Sequence, residues 1–365
     1  MNKEMISGKQ AISIITLFLL GSTLAVGTST EAKQDSWISI LLALLMFIPI
    51  IMTYIRIVSL FPEKSLYDIV SEIFGNVIGK IIVLLYVLYA IHLGALVIRN
   101  FSEFTSIVAM PVTPKMVIQV FLLALCAWMV KSGVEALGRW SKFILPIVIL
   151  TIFATFIISL KDMSFKNLKP VGCAGFENIV AGAFSSFSFP FAESVLFLPL
   201  FGSVKSTENP QKIYITGTII AAIVILSVVI RDICLLGIPS MGIFYFPSYS
   251  AVSIISIGDF LTRFEALVAI NYMFTGLVKV SVCLFAAAIG MAKIFNVQNY
   301  KTMAYPAGLL MITLATIVYK NTAEMFDWLT TYSYYALPFQ VILPLIILAG
   351  AEIKNFINKV IKTTV

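Results

Sequence analysis

Two ionisable residues, Glu193 and Lys279, lie deep inside long apolar stretches of the chain. A charged side chain at the centre of a bilayer costs about 2.5–3.5 kcal/mol on insertion scales, so each must earn its place by pairing or by facing a watery cavity. Opposite in sign, they are expected either to pair across the structure or to face such a cavity. A lysine at that depth can take part in ion or proton coupling, which makes Lys279 a candidate for that role. A second set is His92, Arg99 and Glu103, whose spacings of seven and four place them on one helical face. Arg99 and Glu103 are expected to pair along the helix, and the stripe is a candidate lining for an outer vestibule. His92 is the only histidine, which excludes a histidine-based metal site, and no cofactor or metal is expected. The four cysteines, Cys126, Cys173, Cys234 and Cys283, show no CxxC spacing and read as small apolar packers. No Walker A motif and no GxSxG nucleophile signature is present, so the chain is expected not to be an enzyme.

Two helices that should carry these groups are interrupted. The first apolar segment contains Gly21, Ser22 and Thr23 at mid-depth, and the sixth contains Ser188, Phe189 and Pro190 just before Glu193. Proline removes a backbone donor and clashes with the carbonyl four residues back. Backbone groups freed inside a bilayer need partners, so such breaks belong where protein or a wet cavity surrounds them. Interrupted helices in corresponding positions of two halves point to a midplane binding site of the transporter type. Half-helix N-termini then offer N–H donors to a carboxylate, and freed carbonyls accept from an ammonium, a combination suited to a zwitterionic amino acid. The candidate ligand-binding residues are therefore Gly21, Ser22, Thr23, Ser188, Phe189, Pro190 and Glu193. Phe187, Phe189 and Phe191 are expected to wall the apolar part of the ligand.

The elements that must position these residues are membrane spans. Apolar residues make up 60% of 365 and charged residues 12%, about half the charged share of a soluble domain. The pattern predicts an all-α integral membrane protein with ten spans: 10–30, 36–60, 80–106, 114–132, 139–160, 178–203, 212–237, 264–292, 303–319 and 332–351. A single transmembrane domain over 1–365 is expected, with one repeat at about 10–160 and a second at about 178–351. Lysine and arginine concentrate on one side, at Lys3, Lys9, Lys64, Lys131, Arg139, Lys205, Lys293, Lys301, Lys359 and Lys362 among others. That side is expected to be cytoplasmic, with both termini inside. The net charge of +7 reflects this bias rather than a nucleic-acid footprint.

Several stretches in order along the chain carry a resemblance. They are Gln10 to Gly21, Lys33-Gln34-Asp35-Ser36-Trp37-Ile38-Ser39, Glu135-Ala136-Leu137-Gly138-Arg139, Pro190-Phe191-Ala192-Glu193-Ser194, and Leu261-Thr262-Arg263-Phe264-Glu265-Ala266-Leu267. With them the chain resembles the B subunits of spore nutrient-germinant receptors, relatives of the amino acid–polyamine–organocation transporters. The resemblance implies a LeuT-like 5+5 inverted repeat with helices 1 and 6 interrupted. It also implies residence in the spore inner membrane and assembly with a larger A subunit and a lipoprotein C subunit. The implied role is binding of a small nutrient germinant, often an amino acid, that triggers germination; a proton- or cation-coupled amino acid permease of the same fold is the alternative. Many members carry a Pro-Arg pair at the end of the first span. Here the segment reads Gly21-Ser22-Thr23-Leu24-Ala25-Val26-Gly27-Thr28, so the local ligand shell differs and L-alanine is not implied.

Overall fold

The structure is a computed structural model that describes residues 4–255 and 263–364. Lys3 of the basic set and Leu261-Thr262 of the resembling stretches lie outside the described residues, as do the side chains of Lys359 and Lys362. The described chain is helical throughout, apart from one isolated bridge between Ile6 and Val204. Its helices are α1 (Gly8–Leu20), α2 (Thr23–Val26), α3 (Ser36–Leu60), α4 (Leu66–Val108), α5 (Lys115–Ser132), α6 (Val134–Ser159) and α7 (Phe176–Ser188). After a 3-10 helix over Phe191–Ser203 come α8 (Pro210–Met241), α9 (Pro247–Ser253), α10 (Glu265–Ile294), α11 (Ala304–Ile317), α12 (Thr322–Leu337) and α13 (Leu343–Thr364).

Local sequence sets many of these ends. Ser7 and Gln10 form a reciprocal capping box at α1, and Ser65 and Asp68 form another at α4. Asn209 caps α8 ahead of Pro210, and Asn321 caps α12. The 43 residues of α4 are too many for one straight crossing; Gly75, at φ 76°, bends the helix before its apolar part begins.

Among the described residues, nine helices or helix pairs are long and apolar enough to cross a membrane. They cover every expected span except 303–319. That span is present as α11, only 14 residues long, extended by a 3-10 turn at Tyr300–Met303. The last span also differs: α12 starts at Thr322, ten residues before the expected 332, and runs through a π-helical turn at Pro338–Ile342 into α13. Asn321 supplies the cap that starts it early.

The enclosed centre is built on α1, α10 and the 3-10 helix, whose residues are almost all buried. α10 packs against α1, α4, α5 and α6. Phe121, Trp128, Phe143 and Leu150 of α5 and α6 stay exposed, as expected of side chains that face lipid.

A short N-terminal strap closes one end of this bundle. The Ile6 N–H donates to the Ser203 carbonyl (2.7 Å) and the Lys205 N–H to the Ile6 carbonyl (3.3 Å). The Met5 N–H donates to Glu135 Oε1 (3.0 Å). Glu4 accepts from the Val134 N–H (3.1 Å) and the Tyr300 hydroxyl (2.8 Å) and pairs with Lys301 (2.5 Å). The strap thus ties the start of α1 to the end of the 3-10 helix, the α5–α6 turn and the α10–α11 connection. Burial alone would push the Glu4 carboxyl up, but Lys301, Tyr300 and the Val134 N–H outweigh it and hold it below the ordinary glutamate range.

Glu4→Gln is therefore expected to cost about 1 kcal/mol at neutral pH, discounted for partial exposure. Because the folded pKa lies below the unfolded one, this contribution is complete above the unfolded value of about 4.3 and disappears as pH falls through the folded value. Thermal unfolding of wild type and variant should converge on acidification; a gap that stays constant with pH contradicts the role assigned to the carboxylate.

Candidate functional site

Both expected breaks are present and face each other. α1 ends where the Gly21 N–H donates to the Leu17 carbonyl (2.9 Å), and α2 resumes at Thr23. α7 ends at Ser188, and the chain resumes as the 3-10 helix from Phe191, beyond Pro190. The segment after the first break is stitched to α7 and to the second break. Thr28 Oγ1 donates to the Phe189 carbonyl (3.1 Å) and is hydrogen-bonded to Ser186 Oγ (2.6 Å), while Ser29 Oγ donates to the Gly182 carbonyl (2.9 Å).

Glu193 and Lys279 pair directly, and both side chains are fully buried. Lys279 Nζ also lies over the rings of Phe189 (4.8 Å) and Phe18 (5.3 Å), where the ring faces attract the ammonium. The second oxygen of Glu193 accepts from the Tyr332 hydroxyl (2.6 Å). With that proton committed, Tyr89 must donate to Tyr332 (3.0 Å), and Gln340 Nε2 donates in turn to Tyr89 (2.9 Å). Gln340 Nε2 also donates to the Ser188 carbonyl (3.0 Å), and its Oε1 accepts from Ser188 Oγ (2.9 Å). One network therefore joins Lys279 on α10 to Gln340 and the α7 break, with donors converging on Glu193 from Lys279 on one side and from Gln340, Tyr89 and Tyr332 on the other.

This network changes one expectation. The carbonyls freed at the breaks are not held open for a ligand ammonium in this conformation. The Ser188 carbonyl is taken by Gln340 and that of Phe189 by Thr28. The Tyr54 and Thr275 hydroxyls lie 3.2 Å from the Ala192 and Gly21 carbonyls, each sharing its one proton with the nearer carbonyl of Gln340 or Asn271. Side-chain donors satisfy them because water is scarce at that depth.

What remains between the breaks is a cavity of about 20 Å³ bordered by Ser22, Phe189, Glu193, Asn100, Trp328 and Tyr332, room for about one water. Asn100 Oδ1 and Trp328 Nε1 are buried there without hydrogen-bond partners. An orphaned acceptor and an orphaned donor on one small cavity are costly unless a further molecule meets them.

The structure thus gathers Gly21, Ser22, Thr23, Ser188, Phe189, Pro190, Glu193 and Lys279 around the two breaks. Gly21 is glycine for a steric reason: a Cβ there would collide with the Lys279 side chain and sit 2.8 Å from the Phe18 carbonyl oxygen. Of the three phenylalanines, Phe189 borders the cavity, whereas Phe187 and Phe191 pack around Phe47 instead. The α4 stripe divides. His92 packs edge-on against Tyr335 and Trp328. Arg99 and Glu103 form the expected pair (2.8 Å), and Glu103 is further held by Lys115 (2.7 Å) and the Thr322 hydroxyl (2.7 Å). Sequence reasoning missed Tyr89, Tyr332 and Gln340. Gln340 is an amide inside an apolar segment, and polar groups of that kind usually bond across helices.

Fold and site define a membrane protein of the LeuT-like transporter architecture. Over 95% of this chain the fold is similar to the crystal structure of MhsT in complex with L-phenylalanine (TM-score 0.67, 14% identity, 89% of that chain covered). It is also similar to Mhp1, a nucleobase-cation-symport-1 family transporter in a closed conformation with bromovinylhydantoin bound (TM-score 0.70, 9% identity, 95% of this chain and 78% of that chain). The family described as spore germination protein matches residues 5–351, and the chain belongs to that family. Among its relatives are spore germination protein KB of Bacillus subtilis (strain 168), 27% identical over 97% of this chain and 96% of its own. The putative spore germination protein YfkT of the same organism is 26% identical over 89% of this chain and 91% of its own.

Removing either charge of the central pair strands the other. Glu193→Gln or Lys279→Met alone is expected to cost about 3–5 kcal/mol, whereas the double variant should recover most of that loss. Thermal unfolding of the four proteins in one detergent measures it. A double variant whose loss equals the sum of the single losses contradicts direct coupling.

Proposed function

We propose that this chain is the ligand-binding membrane subunit of a spore nutrient receptor, taking a small nutrient, an amino acid by preference, at the cavity between the breaks. The observation that carries the reading is the position of the Glu193–Lys279 pair beside both breaks, with an orphaned acceptor and donor on the cavity that Glu193 borders. The cavity holds about one water, so a nutrient enters only as the network loosens. Ligand binding is thereby tied to a second conformation, which is what a sensor requires.

In this reading the halves at about 10–160 and 178–351 move against each other around the breaks, and Lys279 supplies the ion- or proton-coupled step. The Arg99–Glu103 stripe, with His92, lies on the outer path. The chain works in the spore inner membrane with both termini cytoplasmic, beside an A subunit and a lipoprotein C subunit. The spore-germination relatives favour sensing over the alternative of a cation-coupled amino acid permease.

The test is thermal shift of the purified protein across the amino acids, joined to uptake in liposomes. A ligand that binds only the folded state stabilises it by RT ln(1 + [L]/Kd), about 2.7 kcal/mol at a hundredfold excess over Kd. We expect a stabilising amino acid, loss of its effect in Gly21→Ala, and no accumulation in liposomes. An unchanged shift in Gly21→Ala would move the ligand away from the breaks, and concentrative uptake by the chain alone would establish the permease.

A further inference from the structure

A second cavity, of about 560 Å³, lies on the other side of α2. That volume falls in the range of small-molecule sites, whereas the cavity at the breaks does not. α8 contributes Ile225, Val229 and Asp232 to its lining, α9 contributes Ser248, and Phe244 and Phe326 close it from the α8–α9 connection and α12. Its wall is mostly apolar, with one buried charged side chain, Asp232, only 4% exposed.

The arrangement around Asp232 decides what the cavity presents. Oδ1 accepts two N–H groups of Arg231 (2.9 and 2.7 Å), and the guanidinium continues to Thr155 on α6 (3.1 Å). Arg231 is not part of the lining. Oδ2 accepts from Ser248 Oγ, and a carboxylate oxygen has room for a second donor. The cavity therefore meets the carboxylate rather than the cation behind it. Lys33 also reaches the lining but is exposed, so its charge is met by solvent.

The two cavities share a partition. Ser22 borders the cavity at the breaks, and its neighbour Thr23 borders the larger one. On α12, Phe326 faces the larger cavity, while Trp328 and Leu329 face the smaller.

We propose that this larger cavity is a second small-molecule site, for an apolar compound with one hydrogen-bond-donating head group that Asp232 receives. The site stands independently of the nutrient site. The test uses the purified full chain with benzylamine and benzoate, which share a ring and differ in the head group. Benzylamine should raise the midpoint of thermal unfolding saturably by a few degrees in wild type and equally in Gly21→Ala, where the added Cβ meets Lys279 and Phe18 beside the first break. Val229→Trp, which fills the larger cavity, should abolish the shift, and Ile225→Phe carries the same test if that variant does not fold. Benzoate should leave the midpoint unmoved. The proposal is overturned by a benzylamine shift that survives filling of the larger cavity, by one lost in Gly21→Ala, by an equal response to benzoate, or by no response to benzylamine in wild type. A shift lost only in Gly21→Ala would assign the amine to the cavity at the breaks.

Discussion

The central constraint is the ion pair between Glu193 and Lys279, buried where a lone charge would be most costly. The pair is neutral as a unit, yet it keeps hydrogen-bonding capacity on both sides. Glu193 uses its second oxygen to order Tyr332, Tyr89 and Gln340, and Lys279 uses its stem to fill the space that Gly21 leaves open. Two interrupted helices are tolerable here because this network and the Thr28, Tyr54 and Thr275 hydroxyls supply donors for the carbonyls that the breaks release. Without the network the breaks would expose unsatisfied backbone at a depth where water is scarce.

The same network makes the conformation a closed one. The cavity between the breaks holds about one water, the Ser188 and Phe189 carbonyls have side-chain partners, and the N-terminal strap locks the base of α1 to the end of the 3-10 helix. A ligand entering this site must exchange its own polar groups for some of these internal bonds. Its binding energy is then spent partly on rearrangement, which links occupancy to shape as a receptor subunit needs. A buried ion pair suits such exchange, since its Coulombic gain and its desolvation penalty are both large and nearly cancel.

Much of this was legible in the sequence, for identifiable reasons. Glu193 and Lys279 stand out because the bilayer penalises charge, and the breaks stand out because glycine or proline beside serine and threonine recurs in corresponding positions of the two halves. The α4 spacing placed Arg99 and Glu103 on one face, and they do pair. Periodicity and breakers were blind to side chains brought from far along the chain. Tyr89 on α4 and Tyr332 and Gln340 on the last span converge from two distant stretches, and their chain of donors depends on side-chain directions that only packing sets. Phe187 and Phe191 read like ligand walls but pack around Phe47 on α3, a contact from far along the chain. The short α11 and the early start of α12 were hidden for a simpler reason: hydropathy measures apolar length, not where a cap such as Asn321 begins a helix.

The most direct measurement of the central claim is the fluorescence of Trp328 in a variant with Trp37, Trp128 and Trp140 replaced by phenylalanine. Its indole borders the cavity at the breaks, with its N–H unpartnered. A stabilising amino acid that enters this cavity must change the emission of Trp328 saturably, at the concentrations that stabilise the protein, and the change must vanish in Gly21→Ala. A ligand that stabilises the protein while Trp328 emission stays constant would place the binding site elsewhere and contradict the account.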